Sequence, residues 1–367
     1  MDGEKIPVPE LTVVIPTFKE RNNVPILVER LGQVLAGEAW EVIFVDDNSP
    51  DGTADVAKAI GATDARVRCI RRVGRRGLSG ACLEGMLASQ ARYVAVMDAD
   101  LQHDESLLPR MLDVLRRDEA DLAVGSRYIE GGSAGAFTAE RARASRVATD
   151  IAHRVFRLRL QDPMSGFFML RRDIVEDVAP KLSTQGFKIL LDIVVTAGEG
   201  LRVTELPFTF RRREHGESKL DEAVALEFLG LILAKTTNDL VSVRFIYFCF
   251  VGAVGILVHF AALTIFLNLL HVPFGWAHTV ATVVAIASNF VMNNGLTYRD
   301  QRLTGRQFFT GLLRFYVVSA IGALSNVGVG NWVFAAEPNW WIAGFAGAVM
   351  GVVWNYVVAT LFVWRTR

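Results

Sequence analysis

The 367-residue sequence has few cysteines and, in its C-terminal third, few charges. Its three cysteines, Cys69, Cys82 and Cys249, show no paired spacing, which argues against a disulfide-stabilised scaffold and against a cysteine-based zinc site. With 51% hydrophobic residues, the chain is also unlike a disordered or collagen-like protein. Residues 1–10 contain no apolar run of signal-peptide length, so we expect membrane attachment to lie further along the chain.

Charge is almost absent from residues 244–367, which hold seven of the 39 basic and two of the 39 acidic residues. Four apolar stretches in this part have no Asp, Glu, Lys or Arg in their interiors: 245–270, 273–292, 315–335 and 340–363. Each has about the 20 residues that an α-helix needs to cross a hydrocarbon layer about 30 Å thick. The sequence therefore predicts a transmembrane domain of four helices over 244–367, an interfacial helical segment over 221–243 and a water-soluble domain over 1–220.

The loops between the apolar stretches predict how the chain is oriented in a membrane. Basic residues lie between the second and third stretches and in the C-terminal tail: Arg299, Arg302, Arg306, Arg314, Arg365 and Arg367. The two other connections contain no Lys or Arg. Because short basic loops remain in the cytoplasm, we expect both termini and residues 1–220 to face the cytoplasm. The predicted protein is thus a multi-pass protein of the cell (inner) membrane.

The apolar part also contains an internal repeat. Arg244-Phe245 followed by Gly252-Ala253 matches Arg314-Phe315 followed by Gly322-Ala323, and Asn289-Phe290 corresponds to Asn355-Tyr356. We interpret this as a duplicated two-helix unit. The two asparagines either bond across helices or line a route for a lipid headgroup. On Ser288-Asn289-Phe290, Thr297-Tyr298 and Trp354-Asn355-Tyr356, this part resembles the GtrA-like family, which is associated with polyprenyl-linked sugars.

In residues 1–243, apolar β-branched runs alternate with helical patterns. Buried parallel strands are predicted over 11–15, 41–45, 67–70, 93–97 and 122–124, with helices over 24–35, 53–60, 80–88 and 106–115. This alternation predicts an open α/β sheet with right-handed crossovers, of the Rossmann-like kind. Ligands of such sheets lie at the carboxyl ends of the strands. No Gly-x-Gly-x-x-Gly or phosphate-loop lysine motif follows the first strand, which disfavours dinucleotide dehydrogenases and nucleoside triphosphatases.

Carboxylates instead follow the strands. Asp98 and Asp100, separated by one residue after the fourth strand, are placed to converge on one hard divalent cation, and Gln102 can add a carbonyl oxygen. Asp47 directly follows the second strand, where a carboxylate can accept hydrogen bonds from a nucleobase or a ribose. Glu20 and the backbone around Pro16 are expected to hold the same base.

Basic residues follow further along the chain and predict the binding of phosphate. We expect phosphate contacts from Arg127, Arg213 and Lys219, and we interpret Arg146, Arg157, Arg159, Arg171 and Arg172 as solvated surface residues. The loop 162–168 is either core packing or the floor of an acceptor pocket. Residues 221–240 mix apolar positions with few charges and are expected to lie along the headgroup boundary.

Five ordered motifs make residues 11–220 resemble the dolichyl-phosphate mannose synthases, inverting glycosyltransferases of the metal-dependent GT-A fold. The motifs are Val13–Thr17, Val45–Thr53, Met97–His103, Met164–Phe168 and Gly216–Leu220. The resemblance implies that the nucleotide sugar contacts Pro16, Phe18, Glu20, Val45, Asp47, Asp98, Ala99, Asp100, Gln102, Arg127, Lys188, Arg213 and Lys219. It further implies a metal at Asp98, Asp100 and Gln102, an acceptor phosphate at Arg127, Arg141 and Ser145, and catalytic roles for Asp100, Arg213 and Lys219. Phe18-Lys19 stands where the family has Tyr-Asn.

These observations predict transfer of a hexose, with GDP-mannose as the favoured donor, to a polyprenyl or dolichyl phosphate in the bilayer, assisted by Mg²⁺ or Mn²⁺. No nucleic-acid partner is predicted, and the oligomeric state is left open. A UDP-glucose or other UDP-sugar transferase is an open alternative. A processive polysaccharide synthase is disfavoured because no Gln-x-x-Arg-Trp follows the metal motif. From another class, the four helices would form a lipid-sugar translocase or a passive anchor.

Overall fold

The computed structural model describes residues 8–74, 76–135, 139–183, 188–211, 223–237 and 241–364. The chain divides into an N-terminal unit, Met1–Asp239, and a C-terminal unit, Leu240–Arg367. The strands of the N-terminal unit are β1 Leu11–Thr17, β2 Trp40–Asp46, β3 Val67–Arg71, β4 Tyr93–Val96, β5 Leu122–Ser126, β6 Phe168–Arg171 and β7 Val203–Pro207. Its helices are α1 Asn23–Val34, α2 Thr53–Gly61, α3 Leu78–Leu87, α4 Leu108–Arg116, α5 Ala139–Phe156, α6 Arg172–Val178, α7 Ile189–Ala197 and α8 Ala223–Thr236.

The seven strands form one mixed sheet in the order β3-β2-β1-β4-β6-β5-β7. The five predicted strands are present, and β1 pairs in parallel with both β2 and β4. The prediction missed β6, which is only four residues long and pairs antiparallel with β4 and β5, and it missed β7. It was also wrong in treating β3 as buried: β3 lies at the sheet edge, and only Val67 of its five residues is buried.

The alternation of side chains along the strands separates two apolar layers. Leu11, Val13 and Ile15 of β1 face a cluster that includes residues of α1, α2 and α4, whereas Val14 faces a cluster that includes residues of α3, α6 and α7. Successive strand residues point to opposite faces of a sheet, so both faces are covered. The carboxyl ends of β1, β2 and β4 therefore meet at one edge of a rigid, doubly covered sheet.

Helix α8 packs against other helices of the N-terminal unit. Its residues Phe228, Leu231 and Ile232 lie against Ala152 of α5 and Leu191 of α7. Leu233 on the same helix is half exposed. The buried face of α8 thus packs against α5 and α7. The interfacial location of residues 221–243 stays a prediction.

The C-terminal unit consists of four long apolar helices: α9 Val243–Thr264, α10 Phe274–Met292, α11 Arg306–Ala336 and α12 Trp340–Phe362. With one-turn extensions of α9 and α10, all four are long and apolar enough to cross a membrane. The prediction of four apolar helices is confirmed. Helix α11 begins nine residues before the predicted start of the third stretch, because its first turns carry the polar residues that the hydropathy criterion excluded.

Each helical hairpin of the C-terminal unit contains an asparagine that lies against a glycine. A Cβ atom on Gly255 of α9 would lie 2.1 Å from Asn289 Oδ1, and one on Gly322 of α11 would lie 2.1 Å from Asn355 Oδ1. Neither oxygen has a hydrogen-bond partner within the described part of the chain. The packing therefore matches Gly255 with Gly322, whereas the sequence repeat had matched Gly252, one helical turn away. The Oδ1 atoms of the two asparagines thus lie against the neighbouring helix and accept no hydrogen bond from the described residues, so the interpretation that the asparagines bond across helices is not supported at these atoms.

Candidate active site

The predicted nucleotide-binding residues lie where β1 and β2 end. Pro16 and Val45 are buried and face each other in the parallel register of these strands. The backbone N–H of Glu20 donates to Thr53 Oγ1 at 3.0 Å, and Glu20 Oε2 accepts from Asn23 Nδ2 at 2.7 Å. The first bond joins the loop after β1 to the start of α2, and the second joins it to the first residue of α1.

Phe18 is the first residue of the loop after β1, and its ring is half-buried. The guanidinium of Arg76 lies 4.9 Å from the centroid of the Phe18 ring, a cation–π geometry. An aromatic face next to a basic group is an arrangement suited to a nucleotide, since it offers both a stacking surface and a positive charge. The absence of the tyrosyl hydroxyl found in the family therefore leaves the apolar surface in place.

Asp47 is already engaged by the chain. Its Oδ1 accepts from Arg72 Nη1 at 2.6 Å, and its Oδ2 accepts from the backbone N–H of Gly77 at 2.7 Å. Burial raises the pKa of Asp47, while Gly77 and Arg72 act in the opposite direction. The loop after β3, which carries Arg72 and Gly77, thus orients the carboxylate that the sequence assigned to the nucleotide.

The loop after β4 gathers the three predicted metal ligands. Asp98 is partly exposed, whereas Asp100 and Gln102 are buried. Leu101 adopts the left-handed conformation, with φ of 63°, and the turn lets the Gln102 N–H donate to Asp100 Oδ1 at 3.2 Å. Ala99 is buried between the two aspartates.

The amide of Gln102 is held from the opposite side. The side-chain Nε2 donates to the backbone carbonyl oxygen of Arg211 at 3.0 Å, and the backbone carbonyl oxygen of Gln102 accepts from the Arg211 N–H at 2.9 Å. Its Oε1 is buried and has no hydrogen-bond partner among the described residues. A buried oxygen without a hydrogen-bond partner, in the same loop as two aspartates, fits a hard divalent cation. No group of three His, Cys, Asp or Glu side chains suited to a metal occurs in the described residues, so a cation here would need Gln102 and ligand oxygens as well.

His103 completes this loop and was not among the predicted site residues. It is 2% exposed, its ring stacks on Phe167 with centroids 5.2 Å apart, and its Nδ1 accepts the Asp98 N–H at 3.0 Å. Burial lowers the pKa of His103 to about 4, so the ring is neutral at pH 7.

The structure describes only some of the predicted phosphate-binding residues. Arg127 is buried and forms a two-bond ion pair with Asp162, Nε–Oδ2 2.7 Å and Nη2–Oδ1 2.7 Å. Ser145 Oγ accepts from Tyr128 Oη at 2.8 Å, and Lys188 is half-buried just before α7. Arg141 belongs to α5. The side chain of Arg141 and the whole of Arg213 and Lys219 lie outside the described residues, so their roles stay predictions.

Comparison with known proteins identifies the family of this chain. Residues 12–179 match glycosyl transferase family 2, and residues 247–364 match the GtrA/DPMS transmembrane domain. The chain is 34% identical over 361 residues to a dolichol-phosphate mannosyltransferase of Pyrococcus furiosus, covering 97% of this chain and all of that protein. The chain belongs to the dolichol-phosphate mannosyltransferase family.

A second member of this mannosyltransferase family, from Saccharomyces cerevisiae, is 33% identical over 262 residues, covering 66% of this chain and 96% of its own. A crystal structure of glucosyl-3-phosphoglycerate synthase from Mycobacterium tuberculosis, with Mn²⁺, UDP-glucose and phosphoglyceric acid, has a TM-score of 0.50 at 18% identity. It covers 62% of this chain and 80% of that one and shows the shared fold. The motif-based resemblance is thus confirmed: this mannosyltransferase-family chain is a GT-A glycosyltransferase and a multi-pass membrane protein.

Four residues that the sequence reading missed support the predicted ones: Arg72, His103, Asp162 and Arg211. Arg72 follows strand β3, so the rule that ligands meet the carboxyl ends of strands would have included it had it been applied there. His103 lies in the loop after β4, to which the rule was applied, but its role depends on contacts with rings distant in sequence. Asp162 and Arg211 carry no such local signal, because each is recognised only through a partner distant in sequence.

Proposed function

We propose that the protein transfers mannose from GDP-mannose to a polyprenyl phosphate, with inversion at the anomeric carbon. The observation that carries this proposal is the loop after β4, which holds two aspartates and the buried Gln102 Oε1 without a hydrogen-bond partner among the described residues. The relatives from P. furiosus and S. cerevisiae are dolichol-phosphate mannosyltransferases, which supports mannose and a dolichol-type acceptor.

Asp98, Asp100 and Gln102 would hold the divalent cation. Bound there, Mg²⁺ or Mn²⁺ supplies positive charge to the diphosphate that leaves with the nucleotide. The chain contributes the geometry: Asp100 fixes the Gln102 backbone, and Arg211 holds the Gln102 amide so that Oε1 remains directed away from that contact. Phe18, Glu20, Val45 and Asp47 would receive the nucleoside half of the donor.

The acceptor requires no general base. A phosphate monoester has a second pKa near 6, so it is largely a dianion at pH 7 and is itself the nucleophile. The protein must instead hold two anions in line and neutralise them. We assign this task to Lys188, Arg213 and Lys219 at the donor phosphates and to Arg141 and Ser145 at the acceptor, with Arg127 next to Ser145's partner Tyr128.

The membrane orientation is part of the proposal. Arg299 and Arg302 are exposed on the segment that joins α10 to α11, and Arg306 and Arg314 are exposed on the first turns of α11. Basic residues on a short connection favour the cytoplasmic side. With both termini on that side, the N-terminal unit would meet nucleotide sugars in the cytoplasm and the lipid phosphate in the inner leaflet.

The test uses membranes that contain the full-length protein, Mn²⁺, a polyprenyl phosphate, and either labelled GDP-mannose or labelled UDP-glucose. We expect label from GDP-mannose alone to enter the organic phase, in a product whose sugar phosphate has the anomeric configuration opposite to the donor. If only label from UDP-glucose entered the organic phase, the donor would be UDP-glucose instead of GDP-mannose. Label that enters the organic phase from neither donor would contradict the proposed transfer.

A further inference from the structure

His103 lies at the end of the loop of Asp98, Asp100 and Gln102, and three aromatic rings surround it in a cage. Its ring stacks on Phe167 at an interplanar angle of 13° and meets the edges of Phe208 and Phe210, with centroids 5.8 and 5.7 Å away. Phe167 precedes β6, and the other two rings follow β7. The cage thus belongs to the sheet framework, and it fixes the plane of the imidazole.

The fixed ring makes one directional bond to the loop. Nδ1 accepts the backbone N–H of Asp98 at 3.0 Å, so the proton of the neutral ring lies on Nε2. Nε2 lies 3.7 Å from Oδ2 of Asp98, beyond hydrogen-bond distance but on the carboxylate side. His103 therefore contacts Asp98 at its backbone and also faces its side chain.

Gly166 limits the same carboxylate from another direction. A Cβ atom at this position would lie 3.1 Å from Asp98 Oδ2 and 3.5 Å from Cε1 of His103. A separation of 3.1 Å is shorter than most Cβ contacts, so a side chain at position 166 would press on the Asp98 carboxylate, whereas 3.5 Å to His103 is an ordinary van der Waals distance. The carboxylate of Asp98 is thus bordered by His103 and by the backbone of the loop before β6.

We propose that His103 is a positioning residue that orients Asp98 for the divalent cation. This inference rests on the proposed function, since it concerns the cation site at Asp98, Asp100 and Gln102. Groups that orient metal ligands from outside the coordination sphere commonly change metal affinity by about 10- to 100-fold when they are replaced. A side chain that only filled the aromatic cage would have no such effect, provided that its replacement filled the same space.

The test compares three variants of the full-length protein in detergent micelles. His103→Phe keeps an aromatic ring in the cage but removes the acceptor for the Asp98 N–H. His103→Asn places an acceptor oxygen near the former Nδ1. Val175→Ala shortens a buried side chain of α6 in the apolar layer on the other face of the sheet, and it leaves the cage and the hydrogen bond intact. Mn²⁺ binding in the presence of GDP is followed by the electron paramagnetic resonance signal of the free ion, and folding by the melting temperature.

We expect His103→Phe to weaken Mn²⁺ binding by about 10- to 100-fold. His103→Asn should recover most of that loss, and Val175→Ala should lower the melting temperature while leaving the Mn²⁺ affinity within about threefold of wild type. Wild-type affinity in a folded His103→Phe variant, or equal losses in His103→Phe and His103→Asn, would overturn the inference.

Two further measurements keep the outcome decisive. If His103→Phe does not fold, His103→Gln is used, because its amide reaches the former Nε2 position and leaves no acceptor at the former Nδ1 position; unchanged Mn²⁺ binding by the folded His103→Gln variant would then contradict the inference. Asp100→Asn separates the two proposals. If wild type and Asp100→Asn bind Mn²⁺ equally, the cation site of the proposed function fails, whereas a loss confined to Asp100→Asn removes only the role of His103.

Discussion

Arg127 and Asp162 form a buried ion pair with two parallel hydrogen bonds, Nε–Oδ2 and Nη2–Oδ1, each 2.7 Å long. Asp162 is fully buried and also accepts the Arg127 backbone N–H at 3.0 Å. Burial acts to lower the pKa of Arg127, but Asp162 outweighs it and the pKa is raised. A charged guanidinium is therefore fixed between β5 and the loop that precedes β6.

Removing one partner of this pair should cost much stability. We expect Asp162→Asn to lower the free energy of unfolding by about 3–5 kcal/mol, because a buried charge loses its counter-charge. Chemical denaturation of the full-length protein in detergent measures the change. The exposed pair Arg172–Glu176 is the control: Glu176→Gln should change the free energy by less than about 1 kcal/mol. Equal effects of the two substitutions would contradict the structural role of Asp162.

The pair Asp47–Arg72 predicts a pH-dependent donor affinity. Burial raises the pKa of Asp47, and Arg72 partly offsets this. In Arg72→Met the pKa of Asp47 should rise further, so fewer molecules carry the carboxylate at lower pH. We expect a donor KM raised about tenfold at pH 6, a difference of about 1.4 kcal/mol, and a smaller increase at pH 8.

The control for this prediction is Arg68→Met. Arg68 pairs with Glu41, near the opposite end of β2, and should leave the donor KM unchanged at both pH values. A KM for Arg72→Met that equals wild type, or that rises as the pH increases from 6 to 8, would show that Asp47 does not contact the donor as a carboxylate.

Lys235 of α8 and Asp192 of α7 form a second buried pair, Nζ–Oδ1 2.8 Å. We expect Lys235→Met to lower the free energy of unfolding by about 3–5 kcal/mol at pH 7, whereas Asp192→Leu combined with Lys235→Met should recover most of the loss. Thermal unfolding of both variants checks this. A double variant less stable than Lys235→Met would refute the explanation by an unpaired charge.

The same pair predicts how the stability of the single variant depends on pH. Burial raises the pKa of Asp192, and removing Lys235 raises it further. As the pH rises above the unfolded-state value of about 3.9, the unfolded chain ionises first and the folded state is disfavoured. The stability deficit of Lys235→Met should therefore shrink when the pH falls from 7 to 5.

The close contacts in the C-terminal unit give a prediction with an internal control. Gly255→Ala and Gly322→Ala should each cost about 1–3 kcal/mol, because the new methyl group would overlap Asn289 or Asn355. Gly252→Ala should not destabilise the protein, since within the described residues nothing outside the local helix backbone lies within 4 Å of its Cβ position. Melting temperatures in detergent distinguish them. If Gly252→Ala destabilises the protein as much as Gly255→Ala, the packing assigned to the two hairpins is wrong.

Local pattern was sufficient to predict much of this molecule. Apolar runs located β1 to β5, and the absence of charge located four long helices. The rule that ligands meet the carboxyl ends of strands selected the loops of Asp47 and Asp98. Short strands such as β6 escaped, because four residues carry too little periodicity to be separated from a loop.

Partners distant in sequence could not be predicted in this way. Arg127 lies 35 residues from Asp162, and Gln102 lies 109 residues from Arg211. The residue type predicts that each side chain forms an ion pair or a hydrogen bond, but only the fold determines which group is its partner. Arg127 was therefore predicted as a phosphate ligand without the carboxylate that holds it, and whether it also contacts phosphate stays a prediction.

The most direct test of the proposed chemistry measures Mn²⁺-dependent transfer of labelled mannose to a polyprenyl phosphate by purified wild-type protein, Asp100→Asn and Asp113→Asn. Asp113 is an exposed carboxylate on α4 and serves as the matched control. We predict that Asp100→Asn loses at least about 100-fold in kcat, as expected when charge stabilisation at the leaving group is removed, while Asp113→Asn equals wild type. Wild-type turnover by Asp100→Asn at saturating Mn²⁺ would contradict the account.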